Sequence, residues 1–113
     1  MNEGKTTIAP EVLVTIARIT TLNVPGVSQL CLDPPGVNRL FNRNFHEGVR
    51  AEVKDGAVYV DIHVILKNDV NIREVSRNIQ QQVTRAISEM VGMNVGSVNV
   101  HIEDIDYTKE NEA

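Results

Sequence analysis

Several residue types that mark particular classes of protein are scarce in this chain of 113 residues. There is no tryptophan, and aromatic residues make up only 4% of the sequence. The single cysteine, Cys31, cannot form an internal disulfide or a multi-cysteine zinc site, which is typical of a reducing compartment. The N-terminus lacks the apolar segment of a secretory signal, and no apolar run approaches the roughly 18 residues of a membrane span. We therefore expect a cytoplasmic protein without an integral membrane segment.

Positive charge is also in short supply. Lysine and arginine total 11 against 15 aspartates and glutamates, which gives a formal charge of −4. A domain that follows a phosphate backbone has the opposite balance, so nucleic acid is not expected as a partner. The 42% of hydrophobic residues is close to the average for folded domains, and the length suits a single core. With so few aromatics, that core has to be built mainly from Val, Ile, Leu and Ala.

A helix is predicted to begin at Pro10. Proline is tolerated in the first turn of a helix, and Pro25-Gly26 provides a stop after about Leu22. Apolar residues between these points recur at three- and four-residue steps, which predicts one buried stripe. Its members are Val12, Leu13, Ile16, Ala17 and Ile19. A short strand at Thr6-Thr7-Ile8 is predicted to precede the helix.

The middle of the chain has the alternation of a half-buried sheet. A strand is predicted from Val27 to Leu32, and Asp55-Gly56 is a two-residue hairpin signal between two alternating segments. The predicted inner face consists of Val49, Ala51, Val53, Val58, Val60, Ile62, Val64 and Leu66. The opposite face carries Tyr59, Asp61, His63 and Ile65, so it is mostly polar.

A long amphipathic helix and a final strand complete the pattern. Asn71 with Glu74 three residues later resembles a capping box, and apolar residues then keep helical spacing until Gly92. Gly92 and Gly96 are predicted to frame the turn into a strand around Val98, after which the sequence becomes acidic. Each element has one apolar face, which predicts an α+β, two-layer sandwich: a mixed sheet of about four strands with two main helices on one face, in the order α-β-β-β-α-β. We expect residues 1–6 to be flexible, 7–105 to form one domain, and 106–113 to be a frayed acidic tail.

Five short segments form a specific combination along the chain: residues 7–12 (TIAPEV), 24–27 (VPGV), 71–75 (NIREV), 90–92 (MVG) and 98–100 (VNV). Together they resemble the bacterial alkaline-shock (Gls-type) envelope stress response family. The resemblance extends over nearly the whole chain, from about residue 7 to residue 105. Ala9 departs from the family pattern, which tends to have a capping hydroxyl there, and Asn68-Asp69 replaces an aromatic residue and glycine.

The resemblance implies a non-enzymatic protein of cell-envelope homeostasis and stress response. It implies no catalytic residue and no cofactor. Its partners would be proteins, among them a membrane-anchored protein that holds the chain at the inner face of the cytoplasmic membrane. Other branches of the family are tied to metabolic enzymes, so a regulatory partner of a fatty-acid synthesis enzyme is the alternative.

A metal-dependent activity is the third hypothesis. Asp61, His63, His101 and Glu103 all fall on the polar phase of their strands, and imidazoles with carboxylates are ligands of transition metals. Such a site requires the two strands to be neighbours in matching register. The ordinary interpretation is a solvated sheet face. No nucleophile motif accompanies Cys31 or the serines, and no phosphate-binding glycine loop is present.

Two groups of residues are candidates for contact with a partner. Arg73, Arg77 and Arg85 recur on one face of the long helix, where they form either a solvated surface or a docking site for an acidic partner. The other group is a short basic, amphipathic segment: Val37, Arg39, Leu40, Phe41, Arg43 and Phe45. This segment either covers an edge of the core as a lid or contacts a partner or an anionic membrane surface. Self-association through the open sheet face or an edge strand is a further expectation.

Overall fold

A computed structural model describes residues 4–34 and 45–108 of the chain, with the side chains of residues 45 and 46 excepted. It confirms the predicted fold class, a two-layer α+β arrangement with two helices against a mixed sheet. The elements are α1 (Pro10–Leu22), β1 (Val27–Leu30), β2 (Phe45–His46), β3 (Val49–Lys54), β4 (Ala57–Lys67), α2 (Ile72–Val91) and β5 (Asn94–Asp106). The two-residue β2 is an addition to the predicted order.

Strand β4 is the centre of the sheet. It pairs antiparallel with β3 through residues 57–62 and with β1 through residues 64–66. Along its whole length it also pairs in parallel with β5, and the connection between these two strands is α2. Because a strand has only two edges, β1 and β3 lie one after the other on the same edge of β4, and β5 occupies the opposite edge.

The hairpin between β3 and β4 forms at the predicted turn. Asp55 and Gly56 both have positive φ, 52° and 78°, as a two-residue turn that matches the twist of the strands requires. This turn fixes the cross-strand pairs, so Ala51 lies opposite Val60 and Arg50 opposite Asp61. Val53 was predicted to be buried, but it is 44% exposed, whereas its cross-strand partner Val58 is fully buried.

Helix α2 begins and ends where the sequence predicts. The Asn71 side chain accepts a hydrogen bond of 3.0 Å from the Glu74 N–H, and Gly92 closes the helix in a left-handed conformation. Every fourth residue from Val75 through Ile79 and Val83 to Ile87 is buried against the sheet. Asp69, in the turn before the helix, adopts positive φ of 63°, which aspartate tolerates.

Helix α1 corrects part of the sequence analysis. It starts at Pro10 after Ala9, whose side chain provides no cap. Its buried residues are Leu13, Val14, Ile16, Ala17 and Thr21. Val12 and Ile19, which were predicted to be buried, are 46% and 52% exposed. At 100° per residue they lie on the side of the helix turned away from the sheet, while Val14 takes the inner position.

Four further details differ from the predictions. The segment Thr6-Thr7-Ile8 is not a strand, and β1 ends at Leu30 rather than Leu32. Strand β5 begins earlier than expected, so Gly96 lies within it and not in the turn after α2. At its other end β5 extends to Asp106, because Asp104, Ile105 and Asp106 all continue the pairing with β4.

Candidate functional site

The polar face of the sheet brings two histidines together. His63 of β4 and His101 of β5 are register partners in the parallel pairing, so their side chains leave the sheet on the same face. Their rings stack with centroids 4.5 Å apart and planes inclined by 16°. The sequence analysis required neighbouring strands in matching register for these residues to meet, and the fold fulfils that requirement.

Each histidine contacts its own carboxylate. His63 Nδ1 lies 2.7 Å from Glu103 Oε2, and His101 Nε2 lies 3.1 Å from Asp61 Oδ1. Glu103 reaches His63 from a bulge in β5, because the register moves from Ile102 directly to Asp104. The His63 side chain is only 12% exposed, whereas that of His101 is 45% exposed. The cluster is thus two ion-pair-like contacts side by side, of which the one between His63 and Glu103 is the more buried.

Asp61 has the richest surroundings in this cluster. Asn99 Nδ2 donates a hydrogen bond of 3.2 Å to Asp61 Oδ1, and Arg50 Nε lies 3.6 Å from Asp61 Oδ2. Partial burial raises the pKa of Asp61, but the hydrogen bonds from His101 and Asn99 and the charge of Arg50 outweigh burial. The pKa of Asp61 is therefore held below its ordinary value. The carboxylate stays ionised and is already engaged by its neighbours.

This arrangement does not have the geometry of a metal centre. A metal ion needs several donor atoms converging on one point. Here the stacked rings direct the contacting nitrogens of His63 and His101 toward two different carboxylates. Across residues 4–34 and 45–108, no group of three or more His, Cys, Asp or Glu side chains is placed to hold a metal ion.

Cys31 lies just after β1, where its N–H donates a hydrogen bond of 2.8 Å to the carbonyl of His63. Burial raises the pKa of the Cys31 thiol, and the nearby Glu103 adds to that effect. A reactive cysteine needs a lowered pKa, because the thiolate is the nucleophile. The environment of Cys31 therefore disfavours nucleophilic catalysis.

The three arginines of α2 that the sequence analysis grouped together have different environments. Arg73 and Arg77 line a groove of about 530 Å³ between α2 and β5, together with Ile72, Ser76, Gln80 and Ile102. Both are exposed, and neither has an ion-pair partner within the described part of the chain. Arg85 lies outside this groove and pairs with Glu89, 3.1 Å away.

A second groove, of about 550 Å³, lies between the end of α1 and α2. Its lining is Ile19, Thr20, Asn23, Val24, Pro25, Asn78, Gln82 and Ala86. None of these side chains is ionisable at ordinary pH. This groove therefore provides neither a general acid nor a general base.

The remaining predicted contact residues are only partly visible. Val37, Arg39, Leu40, Phe41 and Arg43 lie outside the described residues. Phe45 belongs to β2 and pairs with Arg50 through the backbone. The proposal that this segment contacts a partner therefore remains a prediction.

The sequence analysis missed two features of these surfaces. Arg50 was not recognised as a neighbour of Asp61, although a two-residue turn at Asp55-Gly56 places these residues opposite each other. The groove beside Arg73 and Arg77 was also missed, because its other wall is Ile102 of a distant strand. The hairpin sequence contained the signal for the contact between Arg50 and Asp61. No local pattern indicated the groove.

Comparison with known proteins gives a family. The model of the alkaline shock protein 23 family, described as having a cell envelope-related function, matches residues 1–107. The uncharacterized protein YqhY of Bacillus subtilis is 30% identical over 106 residues, which are 92% of this chain and 78% of that protein. The uncharacterized protein Spy1535 of Streptococcus pyogenes is 36% identical over 104 residues, or 90% of this chain and 79% of that protein.

Solved structures share the fold at much lower sequence identity. A variant of MamM CTD superposes with a TM-score of 0.53 at 14% identity and covers 87% of this chain and 100% of that one. Another variant, described as a zinc form, has a TM-score of 0.53 at 13% identity and covers 89% and 91%. At this identity the similarity concerns the fold alone, and the zinc belongs to that protein.

Proposed function

The chain belongs to the alkaline shock protein 23 family, whose function is related to the cell envelope, and from that premise we propose that it is a non-enzymatic binding or scaffold protein. It acts by contact with a protein partner at surfaces already formed in the fold. The site of action is the inner face of the cytoplasmic membrane, which the chain reaches through a membrane-anchored partner. None of the helices in the described part is long and apolar enough to cross a bilayer.

The observation that carries the proposal is a pair of exposed arginines on α2. Arg73 and Arg77 have no ionic partner among the described residues, and they border a groove with apolar residues, Ile72 and Ile102, in its walls. Unpaired arginines next to exposed apolar side chains are typical of contact surfaces between proteins.

The chemistry of the open sheet face supports a non-enzymatic role. Catalysis needs ionisable groups that converge on a substrate in a site shielded from water. The two histidines of this face already pair with Glu103 and Asp61, and the neutral groove between α1 and α2 lies elsewhere. One transition metal per purified chain, lost on replacing His63 and His101 by alanine, would contradict this part of the proposal.

Affinity capture from native lysate, with the tagged full chain as bait, tests the function. We expect a membrane-anchored envelope protein to be recovered and to be retained after cross-linking. Recovery of a fatty-acid synthesis enzyme would instead support the regulatory alternative. An empty capture both with and without cross-linking would contradict the binding role.

A further inference from the structure

Strand β5 has an edge without a neighbouring strand in the described part of the chain. Its pairing is with β4 alone, along residues 94–106. Bulges interrupt the pairing at Gly96 and Glu103, and the stretch 97–102 between them is regular. It contains no proline or lysine, the residues that commonly protect exposed edges. This stretch can therefore accept one more strand.

Helix α2 lies beside the same stretch of β5. Gln80 Nε2 donates a hydrogen bond of 3.1 Å to the carbonyl of Val98, the second residue of the regular segment. This side-chain amide occupies one main-chain acceptor of β5, so an added strand has to displace it at Val98. Ile102, at the end of the segment, forms the groove with Ile72, Arg73 and Arg77. Main-chain hydrogen-bonding groups and two arginines without an ionic partner among the described residues therefore occur along one border of the molecule.

The charges along this border favour one kind of partner. The chain as a whole has a formal charge of −4, yet Arg73 and Arg77 are exposed and unpaired within the described residues. Arg73 also lies in the first turn of α2, where the helix dipole adds positive potential and Glu74 offsets part of it. A segment with carboxylates is attracted here, and a basic segment is repelled.

A second copy of the chain fits this border less well than a different protein does. When two β5 strands pair antiparallel across 97–102, Ile102 of one copy lies opposite the region of Val98 of the other. Arg73 and Arg77 would then face residues 94–98 of the neighbour. These are Asn94, Val95, Gly96, Ser97 and Val98, and none of them is acidic.

We propose that an extended, acidic segment of a partner protein adds as a strand to β5 at residues 97–102 and places its carboxylates against Arg73 and Arg77. An apolar side chain of the same segment packs between Ile72 and Ile102. Main-chain hydrogen bonds supply affinity in this mode of recognition, and the side chains on alternate positions supply selectivity. The inference rests on the proposed binding function and specifies where and how the partner binds.

An NMR titration of the ¹⁵N-labelled chain tests the site with a synthetic peptide of alternating glutamate and valine. We expect amide shifts confined to residues 97–102 and to the first half of α2. The same peptide with lysine in place of glutamate, or with alternate amides N-methylated, should produce none. The double variant Arg73→Glu/Arg77→Glu should weaken binding by about tenfold or more, and Arg85→Glu, on the same helix but outside the groove, should not.

In the titration, this inference is overturned by the absence of shifts with the glutamate peptide, by equal shifts with the lysine peptide, or by shifts at the groove around Ile19 and Ala86 instead. Broadening of residues 97–102 with rising protein concentration alone would show that a second copy is the occupant, which also overturns it.

Affinity capture with the double variant separates this inference from the function on which it rests. If the wild-type chain and the Arg73→Glu/Arg77→Glu variant retain the same partner equally, the binding function stands and the proposed site is wrong. If neither recovers a partner, the proposed function itself fails.

Discussion

His63 and His101 stack face to face across β4 and β5, with ring centroids 4.5 Å apart, although 38 positions separate them in the chain (101 − 63). Each ring is held by a different carboxylate, Glu103 for His63 and Asp61 for His101. The parallel register of the two strands alone creates this contact. It turns four polar residues that are scattered in the sequence into one electrostatic unit.

The pKa of Asp61 reports on this unit. We expect the pKa to lie below the ordinary value of about 4 in the wild-type chain, and to rise toward that value in His101→Ala and Asn99→Ala. Carboxyl ¹³C chemical shifts measured against pH give the value directly. Ser97 lies on β5 like Asn99 and His101 but forms no hydrogen bond to Asp61. The Ser97→Ala variant therefore serves as the control and should leave the pKa of Asp61 unchanged.

The same shift makes a contribution to stability that depends on pH. Because the folded-state pKa of Asp61 is lowered, its ionised form favours the folded state at any pH above the unfolded-state value near 4. That contribution is lost as the pH falls from about 4 through the lower folded-state value. Asp61→Asn should therefore be less stable than the wild type at pH 7, by an amount that shrinks below about pH 4 in urea unfolding. A difference that stays constant down to pH 3 would contradict this assignment.

The N-cap of α2 provides a local test. Removing the Asn71 side-chain oxygen in Asn71→Ala leaves the Glu74 N–H without its partner, and we expect a loss of about 1 kcal/mol in the free energy of unfolding. Asn71→Asp keeps an acceptor at the same place and should retain most of the stability. Chemical denaturation measures both. Equal losses in the two variants would show that the hydrogen bond is not the cause.

The buried stripe of α2 makes a larger contribution. Ile79 is fully buried between the helix and the sheet, so Ile79→Ala should lower the free energy of unfolding by about 2–5 kcal/mol through lost burial and an unfilled cavity. Met90 is on the same helix but 70% exposed, so Met90→Ala should change the free energy of unfolding by no more than about 0.5 kcal/mol. Thermal or urea unfolding of the two variants provides the comparison. Similar effects would contradict the orientation of α2.

Gly96 and Tyr59 form a contact that a double-mutant cycle can isolate. A Cβ at position 96 would lie 2.4 Å from Tyr59 Cε1, so Gly96→Ala has to displace the ring, and we expect a loss of about 1–3 kcal/mol in unfolding free energy. In a Tyr59→Ala background the same change should cost much less, because the obstructing ring is gone. Gly4→Ala, with nothing within 4 Å of the added carbon, is the control.

Local sequence signals account for much of the fold. Asp55-Gly56 determined the hairpin and its register, because a two-residue turn with both φ values positive matches the twist of the strands and is favoured by Asp-Gly. Asn71 and Gly92 determined the limits of α2 through their capping conformations. Alternation along β4 correctly assigned its buried face from Val58 to Leu66. These features depend on neighbours in sequence, so the sequence alone was sufficient.

The candidate sites depended on contacts between distant segments. Alternation showed that His63 and His101 lie on polar faces, but a period of two carries no information about which strand lies next to which. Only the crossover through α2 placed β5 beside β4 and brought Ile102 to Arg73 and Arg77. Similarly, the apolar residues of α1 outnumber the positions that face the sheet, so packing alone decided that Val14 is buried and Ile19 exposed. The sequence by itself determined the elements and their faces, because backbone conformation and side-chain periodicity depend on nearby residues. The tertiary structure decided which elements are neighbours, because strand pairing and helix docking depend on residues far apart in the chain.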